Sequence, residues 1–138
     1  MLADPNEPFV WLKAEQIARI NKAIVTATGE PSGILNAGLL ESSASAPRNL
    51  YLYDGETSAV VLAVHLMASL GQNHCFTQGN KRTAFFSALL FLQNNGHVLP
   101  EPDSAELATA SEAFMLGTLN RESYLSLLAL YVPQSTQG

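Results

Sequence analysis

The sequence is poor in cysteine and in basic residues, and both shortages restrict what the protein can be. Its single cysteine, Cys75, cannot form an internal disulfide, and no Cys/His spacing of the zinc-binding kind is present. Seven Lys and Arg face twelve Asp and Glu, which gives a formal net charge of −5 at pH 7. Because general nucleic-acid binders usually carry a basic face, we expect no nucleic-acid partner.

Charged residues are also few, at 14%, whereas apolar types make up 47% of the 138 residues. This balance excludes a disordered chain and predicts a single domain over residues 1–138, with loose ends at about 1–8 and 133–138. The stretch Met1–Pro8 contains acids and prolines instead of a basic run and an apolar stretch, so no secretory signal is visible. We expect a soluble, cytoplasmic protein with no membrane partner.

Proline separates long segments that are rich in Ala and Leu, too long for strands and favourable for helices. We predict an all-α fold of about six helices, at about Leu12–Thr28, from just after Asn36 to Pro47, Glu56–Gln72, Asn80–Asn95, Ser104–Leu116 and Arg121–Tyr131. Pro47 is expected to end the second helix. The turn signal Asp54-Gly55 predicts a turn or a short hairpin at Arg48–Gly55, and a short extended piece is expected at His97–Leu99.

Two of the predicted helices differ from the others because they are apolar on every side. Nearly every residue of Ala59–Leu70 and of Ala84–Leu92 is apolar. A helix that is apolar all round is buried all round, so these two helices should run through the core. The polar loop that joins them should be held rigidly, and polar loops on rigid scaffolds are where function concentrates.

That loop contains the residues best suited to chemistry, in the run His74-Cys75-Phe76-Thr77-Gln78-Gly79-Asn80-Lys81-Arg82-Thr83. Gly79 lets a ligand approach the backbone closely, and Asn80 is predicted to be the N-cap of the following helix. A helix start offers free N–H groups and a partial positive charge, to which Lys81 and Arg82 add. The pattern therefore indicates an anion site, most naturally for phosphate.

His74 is a candidate general base at this site, and Phe76 would anchor the loop in the core. The alternative is that His74 is an ordinary polar surface group.

The positive charges of Lys81 and Arg82 at a helix start are unfavourable with respect to the helix dipole. A residue choice that breaks such a local rule is often explained by function. A nucleotide P-loop is excluded, because Asn80 separates Gly79 from Lys81 and no strand precedes the loop.

The loop resembles the signature of the Fic/Doc family, and in particular its Doc (death-on-curing toxin) branch. The spacing His-x-Phe-x-x-Gly-Asn-Lys-Arg is matched by His74, Phe76, Gly79, Asn80, Lys81 and Arg82. The segments Gly38–Ser42 and Ala88–Leu92 also look like Doc, and the similarity runs from about Ile34 to Tyr131. The resemblance implies the all-α Fic fold, with the motif loop between the two buried central helices.

The same resemblance implies an activity. His74 would deprotonate a hydroxyl of the target, with Lys81 and Arg82 also catalytic, and Phe76 would be structural. The nucleotide phosphates would be held by Gly79, Asn80, Lys81, Arg82 and Thr83. Doc-like proteins transfer the terminal phosphoryl group of ATP to a threonine of elongation factor Tu and so stop translation. A small antitoxin protein neutralises them.

Several positions depart from the family pattern. Gln78 stands where an acidic residue holds Mg²⁺, and a neutral amide is a weaker ligand, so the metal would be held through water or activity would be lost. Lys81 replaces the glycine of the adenylylating Fic enzymes and Phe85 replaces their second arginine, which favours the Doc branch. Cys75, where proline is common, is either a reactive thiol or a passive filler.

Three functions remain open at this point: a Doc-like phosphotransferase, a Fic-type nucleotidyl (AMP) transferase, and a degenerate binding module. The internal inhibitory helix of many Fic enzymes, Ser/Thr-x-x-x-Glu-Gly/Asn, is not matched. Thr26–Glu30 is followed by Pro31, and Thr118–Glu122 by Ser123. Inhibition is therefore expected from a separate antitoxin.

Overall fold

The computed structural model describes residues 7–133. They form six helices, α1 (Ala14–Ala27), α2 (Ala37–Asp54), α3 (Ala59–Gln72), α4 (Asn80–Asn94), α5 (Ala105–Leu116) and α6 (Arg121–Tyr131). No strand occurs within residues 7–133, and an isolated antiparallel β-bridge joins Ile34 to Phe76. The all-α prediction is confirmed, and His97–Leu99, where a short extended piece is predicted, lies in no helix or strand. The predicted loose ends lie outside the described residues, apart from positions 7, 8 and 133.

Helices α3 and α4 form the centre of the molecule and pack against each other. Helix α2 lies against α3, α1 lies against α4, and α5 and α6 close the remaining side of α3. The side chains without solvent exposure include Leu62, Val64, Met67, Ala84, Ala88 and Phe91. The prediction that both helices run through the core is therefore confirmed, although α4 is not buried on every side, since Phe86 is 48% exposed. None of the helices in residues 7–133 is long and apolar enough to cross a membrane.

The second helix is much longer than the sequence predicts. Helix α2 continues through Pro47 to Asp54, and Gly55 ends it in the left-handed conformation with a φ of 72°. The predicted turn or hairpin at Arg48–Gly55 is therefore wrong. Proline in a helix interior costs about 3 kcal/mol. Pro47 is buried, however, and the packing of Leu50 and Tyr51 beyond it against the core offsets that cost.

The start of α4, like that of α1, has no side-chain cap, in contrast to the other four helices. Helices α2, α3, α5 and α6 begin with a side chain that accepts a hydrogen bond from the helix backbone, namely Asn36, Ser58, Ser104 and Asn120. Helix α4 begins after Gly79, which has a φ of 74° and no side chain to act as a cap. The first amide N–H groups of α4 therefore keep their capacity to bind another acceptor.

Candidate active site

The motif loop is fixed on one side by the segment that precedes α2. The amide of Thr77 donates to the carbonyl of Gly33 at 3.0 Å, and the amide of Leu35 donates to the carbonyl of Cys75 at 2.8 Å. Cys75 and Phe76 are buried, with exposures of 0% and 2%. The loop is thus anchored through its backbone and its two apolar side chains, while the residues beside them face solvent.

Asn80 shapes the loop instead of capping the helix. Asn80 is the first residue of α4 and Gly79 is the N-cap, so the prediction that Asn80 is the N-cap is wrong. The Asn80 side-chain oxygen accepts from the Phe76 amide, and its nitrogen donates to the Phe76 carbonyl, each at 2.9 Å. The side chain of Asn80 is used in this double hydrogen bond. The group of Asn80 that is best placed to bind an anion is therefore its backbone N–H.

His74 lies where the loop leaves α3, and its side chain is exposed. Its backbone φ of 48° is the one left-handed value outside glycine in residues 7–133. Such a conformation costs free energy in a non-glycine residue and persists only where the surroundings impose it. Here the buried Cys75 and the end of α3 impose it, so the imidazole is directed by a rigid backbone.

The motif residues line one open cleft of about 440 Å³. Its walls are His74, Thr77, Gln78, Gly79, Asn80, Lys81, Arg82 and Glu112. The structure thereby brings together a histidine, two cations and the uncapped start of a helix, which is an arrangement suited to binding phosphate beside a base. Glu112, from α5, was not singled out by the sequence.

Thr83 does not belong to this cleft. It is fully buried, and its hydroxyl oxygen accepts from the side-chain nitrogen of Asn21 in α1 at 3.1 Å. The prediction that Thr83 contributes to the phosphate site therefore does not agree with its position. The residue instead joins α4 to α1 beneath the loop.

Arg82 already has an acidic partner within the chain. Its guanidinium group lies 2.5 Å from the Glu30 carboxylate, which also accepts a hydrogen bond from the Thr28 hydroxyl. The Thr28 hydrogen bond and then the Arg82 contact lower the pKa of the Glu30 carboxyl, so it is ionised at neutral pH. The sequence did not predict this ion pair. Glu30 was considered only as the glutamate of a possible inhibitory pattern, and Thr26–Glu30 does not match that pattern. A phosphate that binds Arg82 must compete with Glu30.

Asn21 is a second residue that the sequence analysis missed. It is 2% exposed, and its side-chain nitrogen donates to the backbone carbonyl of Gln78 at 2.8 Å. The sequence did contain a signal for this residue. Asn21 lies between Ile17 and Val25 on the buried face of α1, where the helical spacing predicts an apolar residue. A polar residue in that stripe indicates a buried hydrogen bond, here to the motif loop.

We expect Asn21→Ala to destabilise the protein by about 1–3 kcal/mol, because it leaves the Gln78 carbonyl and the Thr83 hydroxyl without their donor. Urea unfolding would measure this change. Asn49→Ala is the matched control, since Asn49 is exposed on α2 and should change stability by less than about 0.5 kcal/mol. Equal stability of the two variants would refute the tether between α1 and the loop.

The remaining reactive side chains lie outside the cleft or are shielded. Burial raises the pKa of the Cys75 thiol, which favours the passive-filler interpretation of this residue. His65, on α3, lies 3.2 Å from Arg121, and burial followed by that cation lowers its pKa. No group of three or more potential metal ligands occurs among the described residues.

The model of the Fic/DOC family matches residues 11–92, which include the motif loop and most of α4. The chain therefore belongs to the Fic/DOC family. Protein kinase doc of Escherichia phage P1 is 27% identical to it over 101 residues, which cover 72% of this chain and 80% of that protein. The resemblance to the Doc branch is thus confirmed.

Proposed function

We propose that the protein is a Doc-like toxin that transfers the terminal phosphoryl group of ATP to a hydroxyl of a protein. The observation that carries this proposal is the cleft that His74 lines together with the uncapped start of α4, Lys81 and Arg82. The similarity to a relative named protein kinase doc supports phosphoryl transfer in particular.

Each group in the cleft has a role in this reaction. His74 accepts the proton of the attacking hydroxyl, and the amides at Gly79 and Asn80 bind phosphate oxygens. Lys81 and Arg82 neutralise the negative charge that spreads over the phosphate oxygens in the transition state. Phosphoryl transfer depends mostly on positioning and charge stabilisation, and these are what a rigid loop and two cations supply.

The side chains of the cleft suit a Mg²⁺ ion carried by the nucleotide better than a resident metal centre. Mg²⁺ is usually held by one or two carboxylates together with substrate phosphates. The cleft offers the amide oxygen of Gln78 and the carboxylate of Glu112. Bound there, Mg²⁺ would neutralise phosphate charge. Gln78 and Glu112 would orient the nucleotide through it, with Gln78 acting weakly, in part through water.

We expect Gln78→Asp to raise Mg²⁺-dependent transfer about tenfold or more, because a carboxylate is a better ligand than an amide for this hard ion. The measurement is the initial rate of transfer over a Mg²⁺ titration. Gln78→Glu serves as the second carboxylate, and Gln72→Asp as the matched control, since Gln72 is exposed and lies outside the cleft. A titration curve unchanged by both carboxylates at position 78 would contradict a metal role there.

A protein substrate is supported by the surface beside the loop. Ile34, Leu35 and Leu39 are exposed by 51%, 66% and 37%, next to the backbone contact between Leu35 and Cys75. Exposed apolar groups clustered beside a reactive site indicate a protein contact more than a small-molecule acceptor. The proposed target is elongation factor Tu in the cytoplasm, with inhibition of translation as the outcome, and a small antitoxin is the proposed inhibitor.

Two labelling reactions test the proposal. The protein, Mg²⁺ and a bacterial extract are mixed with ATP labelled in the γ-phosphate or, in parallel, in the α-phosphate. Label that passes from the γ-position alone to a protein of the size of elongation factor Tu is the expected result. Label from the α-position would identify a nucleotidyl (AMP) transferase, and label from neither would favour the degenerate binding module.

A further inference from the structure

The two neighbours of His74 in the chain are both connected to one buried side chain, that of Ser43 on α2. Ser43 is 1% exposed. The side-chain nitrogen of Asn73 donates a hydrogen bond to the Ser43 hydroxyl oxygen at 2.8 Å. The same oxygen lies 3.8 Å from the sulfur of Cys75, which is close enough for a weak hydrogen bond with a thiol. Ser43 therefore contacts the residue before His74 and the residue after it.

Ser43 is the polar exception on the buried face of α2. The other buried residues of this helix, which share that face at helical spacing, are Leu40, Ala44 and Pro47. A buried serine costs free energy unless its hydroxyl is hydrogen-bonded, whereas an alanine would occupy the same place without that cost. The hydroxyl of Ser43 is therefore best explained by the two side chains that it reaches, those of Asn73 and Cys75.

The contacts of Ser43 affect the unusual backbone of His74. Asn73 ends α3 with a φ of −89°, and His74 follows with a φ of 48°. A residue other than glycine keeps a left-handed conformation only where its surroundings impose it. On the far side of His74, the carbonyl of Cys75 accepts a hydrogen bond from the amide of Leu35 at 2.8 Å. The backbone of His74 is thus held from both sides, and Ser43 contributes to each.

The orientation of the imidazole depends on this backbone. In the left-handed conformation, the side chain of His74 lines the motif cleft. A return of φ to the ordinary helical value of about −60° would rotate the side chain by roughly 100° about the N–Cα bond. A general base must lie within about 2.6–3.2 Å of the group that it deprotonates, so a rotation of this size would remove it from the reaction.

We propose that Ser43 is a positioning residue for His74: through Asn73 and Cys75, it holds the backbone conformation that directs the imidazole into the motif cleft. The effect on transfer rests on the proposed function, because it assumes that His74 is the general base. Ser43 is not among the residues that line the cleft. It therefore acts through its two contacts and not on a substrate.

Ser43→Ala removes the hydroxyl and retains a good helix former, so this variant should fold. The initial rate of γ-label transfer at saturating ATP is expected to fall about 10- to 100-fold, because misplacement of a reacting group by about 1 Å costs up to about 100-fold. Calorimetric titration with ATP, and with inorganic tripolyphosphate as a probe of the phosphate site alone, should give affinities within about twofold of the wild type. An unchanged rate, or equal losses of rate and affinity, would overturn the inference.

Tyr124→Phe is the matched control, because it also deletes one buried hydroxyl. That hydroxyl lies 2.6 Å from the hydroxyl of Ser111, and neither residue lines the motif cleft. Urea unfolding compares the stability of the two variants, and Tyr124→Phe should transfer label at a rate within about twofold of the wild type. A similar loss of transfer in both variants would attribute the effect to lost stability and would refute the positioning role.

Asn73→Ala removes the hydrogen bond to Ser43 from the other side and should lower the transfer rate by a similar factor. Combined with Ser43→Ala, it should slow transfer little further, because both changes remove the same interaction. Gln72→Ala is the control on the preceding residue, which is exposed, and it should transfer at the wild-type rate. A wild-type rate in Asn73→Ala would show that this hydrogen bond does not position His74.

An NMR measurement distinguishes failure of this inference from failure of the proposed function. The chain has three histidines, so the imidazole signal of His74 can be assigned by its loss in His74→Ala. Ser43→Ala is expected to shift that signal, whereas Tyr124→Phe should leave it unchanged. A wild type that transfers no label would refute the proposed function, and the His74 signal would still decide whether Ser43 orients this side chain. The same His74 signal in Ser43→Ala and in the wild type would refute the inference.

Discussion

His74→Ala is expected to lower the rate of phosphoryl transfer by about 10²- to 10⁴-fold, the range that a general base contributes. His74 is the one histidine among the residues that line the cleft, and the rigid loop fixes its backbone. Its side chain is exposed, so the variant should fold with a stability within about 0.5 kcal/mol of the wild type. The measurement is the initial rate of γ-label transfer at saturating ATP.

His65→Ala is the matched control, because His65 lies on α3 outside the cleft and contacts Arg121 instead. It should leave the transfer rate within about twofold of the wild type. Titration with ATP adds a second criterion, since a base that acts on the target hydroxyl is not needed for nucleotide binding. Transfer at the wild-type rate by His74→Ala would refute the base assignment. Loss of ATP binding would instead make His74 a phosphate ligand.

The helices could be predicted from the sequence because their signals are local. Runs of apolar residues with polar ends gave α3 and α4, and α6 was predicted with the bounds that the structure shows. Helix α2 was predicted too short for a physical reason. The rule that proline ends a helix considers the backbone of one element, whereas the continuation past Pro47 depends on Leu50 and Tyr51 packing against the core.

The motif predicted which residues form the site, but it could not specify where their side chains point. Asn80 and Thr83 both belong to the predicted phosphate-binding run. The structure directs the first to the Phe76 backbone and the second to Asn21. Only the three-dimensional packing decides whether a polar side chain in such a run faces a ligand or the core.

The contacts that stabilise the site could not be predicted from local sequence patterns. Asn21 and Gln78 are 57 residues apart, and Glu30 and Arg82 are 52 residues apart. The pocket beside the motif cleft likewise combines Phe85 and Phe86 of α4 with Met115 of α5, which no sequence motif connects. Spacing rules detect neighbours within one helix or one turn, so pairs of this kind require the tertiary structure.

Arg82→Ala is expected to weaken tripolyphosphate binding by about 10- to 150-fold, which corresponds to the 1.5–3 kcal/mol of a hydrogen bond to a charged group. Its effect on folding should be much smaller. The ion pair with Glu30 leaves 42% and 31% of the two side chains exposed, and a pair exposed to this extent contributes little, at most about 1 kcal/mol. Calorimetry and urea unfolding measure the two effects separately.

Arg48→Ala is the matched control, because Arg48 forms a comparable ion pair with Glu7, at 2.7 Å, away from the cleft. It should lose a similar small amount of stability and bind tripolyphosphate normally.

Glu30→Gln tests whether Glu30 competes with phosphate for Arg82. This variant should bind tripolyphosphate a few-fold more tightly, because Arg82 no longer has to break an ion pair with a carboxylate before it binds phosphate. Glu30→Gln should have no such effect when Arg82 is already alanine. Arg82→Ala could instead reduce stability and leave tripolyphosphate binding unchanged. Arg82 would then only connect the Glu30 segment to α4, and Lys81 would supply the positive charge of the cleft.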